Sequence, residues 1–200
     1  MNFLGQWRSA APPAPDVSAR ASHGLAQFFA DLADRSHPSV LSVGPVWHST
    51  VALLTEAGAK VYTEDPWEAL TGGESSVLAS AQRFLGSNLQ YVPESLDGIL
   101  GWDLFDYLPD ELLEPTRARL QAALKPTGVL FLLFRNRLEG EGLNRYRLGN
   151  RNSFVVMPTE VDLQPRRVFQ NRAILDLFAG FSSSRTFVGR DNLREVLLVK

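Results

Sequence analysis

The chain has 200 residues, of which 44% are hydrophobic and 21% charged, and a formal net charge of −2. That balance fits a globular domain with a sizeable core. The lack of cysteine excludes a disulfide framework and any thiolate metal site. Three scattered histidines, His23, His37 and His48, give no expectation of a metal site. No apolar run reaches bilayer length, and "MNFLGQWRS" lacks the charged and apolar regions of a secretory signal. A cytoplasmic protein without a membrane partner is therefore expected.

Charge is unevenly spread. Residues 1–134 hold 8 basic and 15 acidic side chains, and residues 135–200 hold 12 basic and 7 acidic. Two readings follow: the two parts attract one another within one fold, or the basic part forms a lip over an anionic ligand. The arginines alternate with apolar residues rather than forming a block, which favours the first.

Residues 1–21, with "AAPPAP" at 10–15, read as a flexible arm, and 22–200 as a single domain. A helix is predicted over 22–35, since Leu25, Phe28, Phe29, Leu32 and Ala33 share one face. His37-Pro38 ends it. "SVLSVG" then reads as a strand. "STVALLTEAG" reads as a helix capped by Ser49 or Thr50 and stopped by Gly58. "KVYTED" is a second strand ending in two acids. Residues 74–84 are helical in pattern, and "SLDGILGWD" holds the next strand. "PDELLEPTRARLQAAL" is a helix with Leu113, Leu120 and Leu124 facing inward. "TGVLFLLF", apolar on both faces, suits the middle of a parallel sheet. "NRYRLG" and "SFVVM" are short strands or an inserted hairpin, "NRAILDLFAGF" is a helix, and "SRTFVG" and "REVLLVK" form a terminal antiparallel pair. This alternation predicts a three-layer α/β sandwich around a mostly parallel sheet. Ligands on such sheets bind beyond the carboxyl ends of the strands, where strand order reverses.

Three landmarks resemble the class I methyltransferases that use S-adenosylmethionine. They are "VLSVG" before a helix, "GAKVYTED" ending in acid, and "LDGILGWDLFDYLPD" followed by a helix and "LKPTGVLFLL". The resemblance spans residues 22–200. It implies a Rossmann-like sheet of seven strands with an antiparallel last strand, S-adenosylmethionine as cofactor, and a small-molecule methyl acceptor as partner. An NAD-binding domain fits less well, because no G-x-G-x-x-G follows the first strand.

The resemblance also implies site residues. The family's first loop reads approximately D/E-x-G-x-G-x-G. Here the acid position is Ser42, the first glycine is Gly44, and the next two fall at Val46 and His48. Losing the charge-assisted bond at Ser42 costs about 1.5–3 kcal/mol. Trp47 and His48 are expected to fill the space the glycines leave. Asp65 matches the acid that accepts from the ribose hydroxyls, with Glu64 beside it; capping of the next helix explains Asp65 equally well. Asn88, or Ser87, stands nearest the adenine-binding position. Asp103 falls where an acceptor would be oriented or deprotonated, although capping of a turn competes with that role. Trp102 and Tyr107 would shape the pocket, with a core position for Trp102 as the alternative. Arg145, Arg147, Arg166 and Arg167 would cover an acidic substrate or form surface ion pairs.

Two functions therefore stand side by side. One is transfer of a methyl group to an oxygen or nitrogen nucleophile of a small molecule. The other is a methyltransferase-like binding or scaffold protein without turnover. Nucleic-acid binding through residues 135–194 is not favoured, since no basic motif interleaved with aromatics is present. The sequence gives no oligomeric state.

Overall fold

The computed structural model describes residues 19–71, 77–138, 142–189 and 192–200. Most of the N-terminal arm (1–18) and the start of the helix predicted over 74–84 lie outside these. The last three residues of that arm, Ala19–Ala21, form a short strand, β1. Ser22 follows and accepts the Leu25 amide at 3.0 Å, capping α1 (His23–Leu32). The predicted face of α1 is buried: Leu25, Phe28, Phe29 and Leu32. The helix is shorter than expected, ending at Leu32 rather than at residue 35.

The alternation continues with β2 (Ser39–Val43), α2 (His48–Glu56) and β3 (Lys60–Glu64). α2 starts at His48 with Trp47 as N-cap and no side-chain cap bond, so neither Ser49 nor Thr50 caps it. Thr50 is instead buried and used elsewhere. Gly58 stops the helix at φ +82°, as expected of a glycine there. Two helices follow, α3 (Trp67–Thr71) and α4 (Val77–Ser87), then β4 (Leu96–Trp102). α5 (Leu104–Tyr107), α6 (Asp110–Ala123) and β5 (Leu124–Arg135) complete the central part. "NRYRLG" and "SFVVM" become a hairpin, β6 (Asn144–Asn150) and β7 (Ser153–Pro158). α7 (Asn171–Leu177), β8 (Ser183–Val188) and β9 (Leu193–Val199) end the chain.

The main sheet has the order β3-β2-β4-β5-β9-β8, and β1-β7-β6 form a separate small sheet. β2 pairs in parallel with β3 and β4, and β4 with β5. β9 is antiparallel to both neighbours. The mostly parallel α/β sandwich with an antiparallel last strand is thus observed, with six strands among the described residues rather than seven. Between α4 and β4 the stretch "NLQYVPE" forms no strand. Leu89 and Glu94 there sit at φ +55° and +56°, Pro93 has no amide to donate, and the Leu89 amide donates to Glu64 Oε1 at 2.6 Å. Such a segment cannot present a ladder of hydrogen bonds to β3.

Two apolar layers flank the sheet. One buries Leu25, Phe28, Leu54, Phe131, Tyr146, Leu148 and Phe154, from α1, α2, β5 and the hairpin. The other buries Phe84, Phe105, Leu112, Leu120 and Ile174, from α4 to α7. The connection β2–β3 therefore runs on one face through α2, and β3–β4 on the other through α3 and α4. Strand order reverses between β2 and β4, which places the ligand crevice there.

The strongest sequence landmarks hold each other. Asp97 at the start of β4 accepts from Lys125 Nζ of "LKPTG" at 2.7 Å, from Arg35 at 3.0 Å and from the Ser39 amide of β2 at 2.8 Å. One buried carboxylate thus registers β2, β4, β5 and the loop after α1.

Candidate functional site

Three of the nominated residues stand at the carboxyl ends of β2 and β3. Ser42 is buried within β2, between Thr63 and Leu100. Gly44 follows at φ +127°, a conformation that favours glycine. Its amide donates to Glu64 O at 2.7 Å, and a Cβ added there would meet nothing within 4 Å. The backbone is thus open on that side. Asp65, just past β3, accepts the Trp67 amide at 3.3 Å, as a helix-capping acid would. The same Oδ1 accepts from Arg145 Nη1 at 2.9 Å.

Val46 and His48 stand at the surface. Val46 is 69% exposed and His48 is also exposed at the head of α2. The expectation that His48 fills the place of a lost glycine fails, because the turn from Gly44 carries both side chains to the surface. Trp47 is half-buried, with its Nε1 enclosed.

Asn88 and Asp65 are brought together. With Glu68, Ala69, Arg83 and Ser87 they line one cavity of about 300 Å³. Asn88 Nδ2 donates to Phe84 O at 3.1 Å, which fixes the side chain at the end of α4. The Asn88 main-chain carbonyl accepts from Arg119 Nη1 at 2.6 Å.

Asp103 and Trp102 lie deeper, past the end of β4. Trp102 is 3% exposed and sits at φ +50°. Its ring stacks on Tyr146 at 5.4 Å and 12°, and meets Phe131 edge-on at 5.8 Å. Trp102 is therefore part of the core beneath the hairpin, the alternative weighed for it above. Asp103 is fully buried; its Oδ2 accepts from Tyr146 Oη at 2.7 Å and faces Arg135 Nη2 at 3.5 Å. Arg135 Nη2 also donates to Tyr107 Oη at 2.6 Å and to Gly142 O at 3.2 Å. The Arg135 amide donates to Asp106 Oδ2 at 2.8 Å. Burial pushes the Asp103 carboxyl up to about 6, against the pull of Tyr146 and Arg135. Burial, and next the charge of Asp103, push Asp106 well above the usual carboxylate range. A carboxylate near 6 is a suitable proton acceptor at neutral pH, but here it stands behind Tyr146.

Sequence reasoning missed the hairpin's part in this site. β6 touches three walls of the crevice. Arg145 reaches Asp65 and lies over the Trp67 ring at 5.3 Å. Tyr146 reaches Trp102 and Asp103. The Leu148 amide donates to Thr50 Oγ1 on α2 at 3.0 Å. The signal in the sequence was the alternation Arg145-Tyr146-Arg147-Leu148, which puts Tyr146 and Leu148 on one strand face. Arg166 and Arg167, read as a cover for an acidic substrate, bind the Tyr107 and Leu108 carbonyls at 3.1 and 2.6 Å. Among the described residues, no helix is long and apolar enough to cross a membrane.

No protein-family model matches this sequence, and no curated protein matches it. Solved structures do match. An S-adenosylmethionine-dependent methyltransferase from Mesorhizobium loti is 12% identical, with 87% of this chain and 96% of that chain covered and a TM-score of 0.53. A second such methyltransferase, from Archaeoglobus fulgidus, is also 12% identical, with 88% and 94% covered and a TM-score of 0.53. The 1,6-didemethyltoxoflavin N1-methyltransferase of Burkholderia thailandensis, with bound 1,6-didemethyltoxoflavin and S-adenosylhomocysteine, is 16% identical; 89% and 77% are covered, with a TM-score of 0.46. The fold is that of the class I S-adenosylmethionine-dependent methyltransferases.

Proposed function

We propose that this protein binds S-adenosylmethionine and directs methyl transfer to an oxygen or nitrogen of a small molecule. The observation that carries this reading is the cavity of about 300 Å³ that Asp65 and Asn88 share, just past the end of β3, the strand to which the Gly44 amide is bonded at Glu64 O. A carboxylate at the end of β3 can accept from both hydroxyls of a ribose. Asn88 at the cavity wall can bond an adenine edge. Gly44 lets the ligand lie against the main chain, with Ser42 behind it; Trp102, in the core beneath the hairpin, takes no part. These residues suit the nucleoside end of the cofactor. The other end is less provided for, since Ser42 brings no charge to an ammonium group.

When bound, the cofactor supplies an electrophilic methyl group on a sulfonium. The chain's task is then mainly to hold an acceptor in line and exclude water. Asp103 would accept the acceptor's proton, which its raised affinity for protons suits. Tyr146 must first release Asp103 for that contact.

A second reading, a methyltransferase-like binding protein without turnover, is favoured by one feature. The hairpin already engages both acids, Asp65 through Arg145 and Asp103 through Tyr146.

Calorimetric titration of the purified chain with S-adenosylmethionine and S-adenosylhomocysteine tests the first reading. Binding that is lost in Asp65→Ala, with the melting curve retained, supports it. No binding at millimolar ligand sinks it. Binding without methyl transfer to any of a panel of phenols, amines and carboxylates favours the second reading.

A further inference from the structure

Three contacts hold β6 over the crevice, and they differ in strength. Leu148, Phe154 and Tyr146 are buried in the apolar layer, and the Leu148 amide is fixed by buried Thr50. The Arg145–Asp65 pair lies outside that layer, with the two side chains 15% and 36% exposed. A pair this open to water contributes little, up to about a fivefold factor in an equilibrium. The hairpin therefore has a firm seat and one weak contact, and the weak contact falls on the carboxylate nominated for the ribose.

From this arrangement we infer that Arg145 is a built-in competitor for the nucleoside site: its guanidinium occupies, on Asp65, the position a vicinal diol would take, and a nucleoside ligand binds by displacing it. The inference rests on the cofactor reading above and adds the regulation of that site. Arg145 holds Asp65 through the single bond from Nη1 to Oδ1, so a vicinal diol that uses both carboxylate oxygens must displace it. The Trp67 ring gives the guanidinium a face to lie against, and Trp67 is itself held edge-on to Tyr107 at 5.1 Å. The Trp67 face therefore holds the guanidinium beside Asp65 independently of the ion pair. Displacement needs a side-chain rotation and leaves the Leu148 and Phe154 packing intact.

The test is a calorimetric titration of the full chain with adenosine, 2′-deoxyadenosine and S-adenosylhomocysteine. It compares wild type with Arg145→Gln, which retains most of the stem, and with Arg147→Gln, which removes an equal charge from the same strand. Arg145→Gln is expected to bind adenosine and S-adenosylhomocysteine about three- to fivefold more tightly than wild type. For 2′-deoxyadenosine, which lacks the diol, no such gain is expected. Arg147→Gln should match wild type for all three. Arg145→Lys keeps the charge but lacks the planar fork, and should fall between; it also serves if Arg145→Gln melts early. Equal gain for adenosine and 2′-deoxyadenosine overturns the inference, because the effect is then general charge. Unchanged or weaker adenosine binding in Arg145→Gln overturns it while leaving the cofactor reading standing. No binding by any variant overturns the cofactor reading and the inference together.

Discussion

Arg135 stands between two buried carboxylates, and its removal has a calculable signature. Its side chain is almost enclosed and serves Asp103, Tyr107 and the Gly142 carbonyl, with its planar head over the Tyr107 ring at 5.6 Å. The groups facing Asp103 are Tyr146 from β6, Arg135 from β5, and Asp106 and Tyr107 from α5; Arg145 adds its charge at longer range. Arg135→Met preserves bulk but leaves the acids without this cation. Breaking a buried pair in this way costs about 3–5 kcal/mol. The lost bonds from the guanidinium to the neutral acceptors Tyr107 Oη and Gly142 O contribute about 1–3 kcal/mol of that, independent of pH over this range. The remainder depends on pH, and its sign follows from the raised Asp103 carboxyl. A folded value of about 6 lies above the unfolded value of 3.8. The stability this group contributes is therefore complete below about 4 and is lost as pH rises through 6. Without Arg135 the folded value climbs further, so the variant continues to lose stability above pH 6, by about 1.4 kcal/mol for each unit of additional shift. Urea unfolding followed by circular dichroism at pH 5, 6, 7 and 8 should show a deficit that widens with pH. A deficit that is constant from pH 5 to 8 refutes the coupling between Arg135 and the acids.

Two smaller perturbations probe the frame around the crevice. Thr50→Val keeps the shape on α2 but leaves the buried Leu148 amide without its acceptor, and should cost about 1–3 kcal/mol in urea unfolding. Faster amide exchange at Leu148 than in wild type should accompany it, and an unchanged exchange rate would show that the bond does not seat the hairpin. Thr127 lies at φ +62°, which is strained for a β-branched residue, so Thr127→Gly should stabilise the chain by about 1 kcal/mol. The Arg35 bond to Thr127 Oγ1 is lost in that variant, and a fall in melting temperature would mean that this bond outweighs the strain.

The fold was legible because its landmarks are local in sequence and structural in role. "LDGILGWD" and "LKPTG" are conspicuous for the residues that meet as Asp97 and Lys125, in the register of β4 on β5. The charge asymmetry was legible too. The basic final third supplies Arg135 to Asp103, Arg145 to Asp65, Arg167 to Asp110 and Lys200 to Glu94. The hairpin's hold on the crevice was not legible, because Arg145 is 80 residues from Asp65 and Tyr146 is 43 from Asp103. Periodicity assigns a residue to a face but gives no distance across the fold. The absent seventh strand turns on the backbone angles of Leu89 and Glu94, residues for which a left-handed conformation is uncommon.

The buried polar atoms at the crevice bear on the choice between a filled core and a ligand site. Among the described residues, Trp47 Nε1, Trp102 Nε1 and Asp103 Oδ1 are enclosed without a hydrogen-bond partner. Each such atom costs about 1–3 kcal/mol. Three of them together rival the net stability of a domain, which is about 5–15 kcal/mol. Trp102 adds backbone strain at φ +50°. A crevice closed only to make a core would gain from apolar residues at all three positions, since phenylalanine fills much of the space of tryptophan without an orphaned donor. The two indole donors at the ends of β2 and β4 are groups that a polar ligand or a water would satisfy and a purely apolar core would not.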